Sequence, residues 1–395
     1  MPVPGGRRRR WPRHAAYGLA GLAVLVPTGT FSAGWYFATR VIDVSAARQY
    51  PIEVRAVGPD DAADGAGLRV TLARTRETEQ DMPLALVWPD GFAQLGAVLS
   101  GDKRSVVRRV VAVTRGTLRV GLRGYLSGAV FGGDPKTARG LDFAEVMVPT
   151  ELGDAPAWLV PPVGGVTRST WVIAVHGRAS HRGEALRVLP ALAGLGLTTL
   201  VVTYRNDEGA PPSPDGYYHL GATESRDVVA AVRYAQQHGA TDVVLYGWSM
   251  GGGAVLTALR QLSPDDVRGV VLDCPVVEWS ATLYHNARQI GLPAPLAWAA
   301  VRWIERRLRL RLASLDHRLD ADSLRVPVLA FSDDDDRVVD PQPTRDLAEL
   351  RPDLVTLVET VGAGHARSWN LDPAAYEAAL TGFLSDLLAD ARETP

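Results

Sequence analysis

Residues 243–256 read VVLYGWSMGGGAVL. A β-branched apolar run stops at Gly247, and a stretch of small residues suited to a helix start begins directly after Ser249, so the segment predicts strand, tight turn and helix in succession. Such a turn holds its central residue in a strained backbone conformation, and the positions around it must be small where main chains approach closely. Gly247 and Gly251 supply that room. The Ser249 hydroxyl then projects from the end of the strand, while the helix behind it offers N–H groups and its positive dipole end to a developing oxyanion. Ser249 is therefore the candidate nucleophile, with the Met250 N–H as one oxyanion donor.

A serine hydroxyl is a poor nucleophile at neutral pH and needs a base within hydrogen-bond reach, itself oriented by a third group. The elbow arrangement places an acid and then a histidine further along the chain, each after a strand. His365 fits, because the apolar run 354–358 precedes it and Gly362-Ala363-Gly364 forms a flexible turn. His14 lies ahead of an apolar N-terminal stretch, and His181, His219, His238, His285 and His317 follow no suitable strand. For the acid, the run 326–331 leads into Ser332-Asp333-Asp334-Asp335-Asp336. Adjacent carboxylates repel one another, which raises the pKa of one or more and invites a cation, and a solvated turn is the plain reading for three of them. Asp336, just before Arg337-Val338-Val339, is the preferred acid. A second oxyanion donor is expected from His176-Gly177-Arg178, directly after the strand 171–175, with the Arg178 N–H foremost. His176 has no partner at metal-site spacing, so no metal site is assigned.

Outward from these motifs, apolar strands at 171–175, 198–203, 242–245, 267–272 and 326–331 alternate with helices near 183–195, 223–238 and after Asp372-Pro373. That rhythm, preceded by a hairpin over 145–149 and 157–161, predicts a mostly parallel, doubly wound α/β sheet in residues 144–395. The last helix presents Tyr376, Leu380, Phe383, Leu384 and Leu387 on one face. A helical insertion at about 276–322, with Trp298, Trp303 and arginines over 302–311, reads either as a lid or as a surface helix balanced by Asp316, Asp320 and Asp322. Residues 40–143 carry short period-two runs at 68–73, 84–88, 106–113 and 117–122 and predict a small β-rich accessory module. No chemistry is assigned to it; packing is the plain reading and binding the alternative.

The whole chain sets further bounds. At 395 residues, length alone predicts more than one unit. A net charge of -2 with no basic stripe disfavours nucleic acid. The single cysteine, Cys274, excludes an intrachain disulfide and a multi-cysteine metal site. Arg7 to Arg10 and Arg13 precede an uncharged stretch at 15–39, long enough to cross a bilayer as one tilted helix. Positive-inside bias then puts 1–14 in the cytoplasm and the rest outside, as a single-pass cell-membrane protein. A cleaved signal peptide, with an apolar core at 15–26 and a Ser32-Ala33-Gly34 site, is the competing reading and makes the protein secreted.

HGR at 176–178, GWSMG at 247–251 and GAGH at 362–365, with the strand that runs into an acid before Val-Val, resemble the α/β-hydrolase superfamily. More narrowly, YRNDEGAPPSPDG at 204–216, LDCPVVEW at 272–279 and HARSWN at 365–370 look like a group of signal-anchored actinobacterial α/β-hydrolases, distantly similar to acylaminoacyl and dipeptidyl peptidases. The resemblance covers about 144–390. Family members carry His-Gly where this chain has Ser332-Asp333, and the family frame again selects Asp336. The resemblance implies the α/β-hydrolase fold and a serine hydrolase that cleaves an ester, thioester or amide in a small-molecule, acyl or peptide substrate through an acyl-enzyme, with no cofactor. Other readings are an inactive membrane-tethered scaffold and a cofactor-free acyltransferase or perhydrolase.

Overall fold

In Ser105–Arg115 the residues Val106, Arg108 and Val110 are buried while their neighbours are not, the signature of a strand with one face on a core. The computed structural model, which describes residues 38–45, 48–60 and 67–389, assembles this strand with five others into a closed antiparallel barrel. Its strands are β1 (Ile52–Asp60), β2 (Gly67–Ala73), β3 (Leu84–Trp88), β4 (Gly91–Gly101), β5 (Ser105–Arg115) and β6 (Arg123–Ser127), in the order β1-β2-β5-β4-β3-β6. Pairing of Ile52 with Gly124 closes the ring, so no edge is left unpaired. Val54, Val70, Leu72, Leu84, Leu86 and Leu126 fill it.

The expected strand at 117–122 does not form. Gly116 and Gly121 adopt φ of 71° and 80°, which turns the chain, and the strand begins at Arg123 instead. β1 and β4 had no counterpart in the sequence reading. In β4 the register shifts at several points and Gly91, Gly96 and Gly101 interrupt the alternation, so the period-two signal is blurred.

The second unit starts with the antiparallel hairpin β7 (Ala144–Thr150) and β8 (Gly153–Val160). It continues as β9 (Thr170–Val175), β10 (Thr198–Val202), β11 (Asp242–Trp248), β12 (Val267–Asp273), β13 (Val328–Asp333) and β14 (Val355–Thr360). The sheet order is β14-β13-β12-β11-β9-β10-β8-β7, parallel from β10 to β14. Both faces are covered, which is why the central strands read as unbroken apolar runs. Ile173, Val175 and Leu245 join one core with the helices Glu224–Gln237 and Met250–Leu259. Val172, Ala174 and Tyr246 join the other with Leu189, Tyr376 and Leu380.

The helix expected near 183–195 is two pieces, a 3-10 turn Arg182–Arg187 and a helix Leu189–Gly194, because Pro190 has no N–H to continue the first. The strand expected from 326 begins at Val328, after Pro327. In the insertion, helices Trp279–Gln289 and Ala294–Leu308 pack on the first core through Leu283, Ala300 and Ile304. Its balancing charges differ from expectation. Asp316 pairs with Arg318 and Asp320 with Arg260, while Arg302 pairs with Glu305 and Arg307 stacks on Tyr217. The anchor expected at 15–39 lies outside the described residues except for Ala38 and Thr39, and among the described residues no helix is long and apolar enough to cross a membrane.

Candidate active site

β11 delivers Ser249 at φ 52° and ψ -120°, a conformation that costs a non-glycine residue on the order of 1 to 3 kcal/mol. The surroundings impose it. Ser249 N–H donates to the Asp273 carbonyl at 2.9 Å, and the Ser249 carbonyl accepts from the Val276 N–H at 3.0 Å. A Cβ on Gly247 would come within 2.6 Å of Gly252 backbone, and one on Gly251 within 2.3 Å of the Val175 carbonyl oxygen. Both glycines are therefore sterically required. Gly177 lies against the serine from the other side, where an added Cβ would sit 3.2 Å from Ser249 Cβ.

The Ser249 Oγ lies 2.8 Å from His365 Nε2, and His365 Nδ1 lies 2.7 Å from Asp336 Oδ2. Asp336 Oδ1 accepts the Val338 and Val339 N–H groups at 2.8 and 2.9 Å. These bonds fix the tautomer: Nδ1–H donates to the carboxylate and Nε2 is left to accept from the serine. Burial would raise the Asp336 pKa, but the facing imidazole and the two amides hold it below the ordinary carboxylate value. Burial would likewise lower that of His365, but the Asp336 carboxylate carries it above the usual imidazole range. Asp273, another carboxylate near His365, accepts from the Tyr376 hydroxyl at 2.9 Å instead.

Two positions of the acidic run, Asp334 and Asp335, face solvent, and the other two, Asp333 and Asp336, are buried. Asp333 is fully buried. Its carboxylate accepts from the N–H groups of Asp335, Ala363 and Gly364 at 2.9 to 3.0 Å and from the Thr360 hydroxyl at 2.7 Å. It thus ties the loop that carries the acid to the loop that carries His365, and three N–H donors take the place of a solvent shell. Asp334 pairs with Arg345, Asp335 with Arg76 and Asp336 with His365. The expected repulsion is resolved by giving each carboxylate its own partner. Ligand atoms of Cys274, Asp336 and His365 lie within 4.8 Å of one another, yet the imidazole and carboxylate are already bonded to each other and burial pushes the Cys274 thiol well up.

The His365 loop has further supports that the sequence reading did not assign. Arg187, 1% exposed, donates to the Ala366 carbonyl at 2.8 Å and to Asn370 Oδ1 at 3.0 Å. Gln80, from the barrel, donates to the Gly362 and Ala363 carbonyls. The loop around Gln80 is itself held by Arg108, whose guanidinium sits inside the barrel and donates to the carbonyls of Gln80, Met82 and Gly96. Burial lowers its pKa to about 10, which leaves it charged at neutral pH. On the other side Glu184 accepts the Gly177 N–H at 2.8 Å. His176 stacks on Tyr204 and bonds Asp207 through Nε2 at 2.8 Å, a structural arrangement.

Ser249, His365 and Arg178 line one cleft of about 940 Å³, open to solvent. Its opposite wall is the barrel, through Arg76, Glu77, Gln80, Tyr125 and Leu126. The accessory module is therefore more than packing. No residue of 276–322 lines this cleft, so the insertion is not its lid. Met250, which opens the helix, is fully buried beside the serine.

Two family models match the chain. One, described as serine aminopeptidase, S33, matches residues 167–316. The other, described as a domain of unknown function (DUF8805), matches residues 53–127, the barrel. No curated protein matches. Among solved structures the chain is similar to the Pyrococcus furiosus esterase Pf2001, at 19% identity and a TM-score of 0.51, covering 65% of this chain and 95% of that one. Est1E from Butyrivibrio proteoclasticus is 18% identical, with a TM-score of 0.49 and coverage of 62% and 99%.

Proposed function

We propose, from the premise that this chain belongs to the α/β-hydrolase superfamily, that it is a serine hydrolase cleaving a carboxylic ester or related acyl bond through an acyl-enzyme. The observation that carries the reading is the unbroken chain from Ser249 Oγ through His365 to Asp336, at 2.8 and 2.7 Å, on the wall of an open cleft. In the proposed cycle Ser249 Oγ attacks the carbonyl carbon while His365 Nε2 takes its proton, and Asp336 stabilises the imidazolium. N–H groups of Met250 and Arg178 receive the oxyanion. The proton passes from His365 to the leaving group, and water, activated by the same imidazole, releases the acid. The esterase description of Pf2001 favours an ester over an amide.

Turnover of para-nitrophenyl acetate tests this, with product analysis in the presence of methanol. We expect release of acetate to dominate and to be lost in Ser249→Ala. A methyl ester as the main product would instead make the enzyme an acyltransferase.

We further propose that residues 15–39 tether the enzyme to the cell membrane with the catalytic unit outside, on the strength of the arginines at 7–10 and 13 ahead of an uncharged stretch. The full chain is then expected to stay with membranes through carbonate extraction, and a chain starting at residue 40 to wash off. Release of the full chain from washed membranes, with its N-terminus cleaved, would contradict the anchor.

A further inference from the structure

We infer that the cleft selects substrates bearing an anionic group, a carboxylate or phosphate close to the scissile acyl bond, and that Arg178 and Arg337 receive it. The inference rests on the hydrolase reading above and names its substrate class. The wall around Ser249 is dominated by polar and charged side chains, with Leu126 and Val338 among its few aliphatic ones. The charges on the wall are unequally committed. Glu77 pairs with Arg367 at 3.2 Å, Asp335 pairs with Arg76, and Glu184 accepts the Gly177 N–H at 2.8 Å. Every carboxylate of the cleft wall thus has a partner within the protein, and two of the guanidinium groups are consumed in supplying them.

Arg178 and Arg337 line the same cleft and make no hydrogen bond or ion pair among the described residues. Arg178 follows Gly177, which lies against Ser249, and Arg337 follows Asp336, the partner of His365. The two uncommitted cations therefore stand on the loops that adjoin the reacting pair from its two sides. Arg178 is only partly exposed. Burial, offset in part by Tyr218 and Tyr204, lowers its pKa. A cation so placed is penalised while unpaired, and an anion entering the cleft removes that penalty. Guanidinium groups also match carboxylate and phosphate oxygens in bidentate geometry.

The test compares charged and neutral members of two ester pairs in kcat/KM, each normalised to its own alkaline hydrolysis rate. One pair puts the charge on the leaving group, para-acetoxybenzoate against its methyl ester. The other puts it on the acyl group, the para-nitrophenyl monoester of glutarate against the corresponding mixed methyl ester. We expect the charged member to be preferred about tenfold in at least one pair at low ionic strength, with the preference shrinking as salt is added. Arg178→Gln with Arg337→Gln is expected to abolish the preference, and Arg337→Gln alone, at an exposed position, to reduce it. Equal or better use of the neutral member in both pairs would overturn the inference, as would a preference that survives both substitutions. Wild-type protein that cleaves none of the four esters and does not react with a fluorophosphonate brings down the hydrolase reading itself, and this inference with it.

Discussion

Asp336→Asn is expected to lower kcat/KM by about ten-thousand-fold while leaving the fold intact. The Val338 and Val339 N–H groups bond Oδ1, and an amide oxygen can keep both. What changes is the other oxygen. His365 Nδ1–H donates to Oδ2 at 2.7 Å, and an amide NH₂ there cannot accept, so the ring is held in the tautomer that points a proton at Ser249. The pH profile carries a second signature. Burial alone would lower the His365 pKa, and the Asp336 carboxylate raises it above the ordinary value. The base must be neutral to take the serine proton, so wild-type activity falls as pH drops through that raised pKa. In the variant burial is opposed only by the lesser pull of the Glu184 and Asp273 carboxylates, and the acid limb moves to lower pH. A loss below about a hundred-fold with an unmoved limb, measured as kcat/KM against pH, would assign the acid elsewhere.

Gly251→Ala is expected to destabilise the protein by about 3 kcal/mol and to abolish most activity. Two effects compete. Helix propensity favours alanine over glycine by about 1 kcal/mol. Against it, the new Cβ would lie 2.3 Å from the Val175 carbonyl oxygen and 2.4 Å from that of His176. Both are backbone atoms at the end of β9, a buried central strand, so neither can swing away as a side chain would. The clash wins, and its relief displaces the strand end that leads into Gly177 and Arg178. For a unit the size of the α/β sheet region the destabilisation corresponds to a Tm lower by roughly 6 °C. Gly382→Ala is the control, because it lies in the helix Pro373–Ala389 with nothing within 4 Å of the added carbon. There only propensity acts, and a small rise in Tm is expected. Equal responses of the two variants to thermal unfolding would contradict the steric account.

The two glycines of the elbow were readable because close approach within a strand, turn and helix is a local property. The serine, acid and histidine each follow a strand, and the topology that carries strand ends to one edge of the sheet is encoded in the alternation of apolar runs with helices. Asp333 was not readable in the same way. Three of its four partners, Thr360, Ala363 and Gly364, come from the end of a different strand and the loop after it, and nothing in the run Asp333 to Asp336 separates a buried acceptor from a hydrated one. Arg108 was hidden for a related reason. An arginine at an inward position of a period-two strand looks like a break in the pattern, and its partners are carbonyls of a loop and of a neighbouring strand that only the closed barrel brings together. The role of the barrel as a wall of the cleft depends on how the barrel and the sheet unit meet, and no periodicity within either one records that.

The proposed chemistry needs Ser249 as a nucleophile activated by His365. Reaction of the purified protein with a fluorophosphonate, followed by peptide mapping, tests it most directly. One adduct is expected, on Ser249, absent in Ser249→Ala and strongly slowed in His365→Ala. Intact, folded protein that takes up no label, or that carries it on another residue, would contradict it and leave a hydrolase fold without this chemistry.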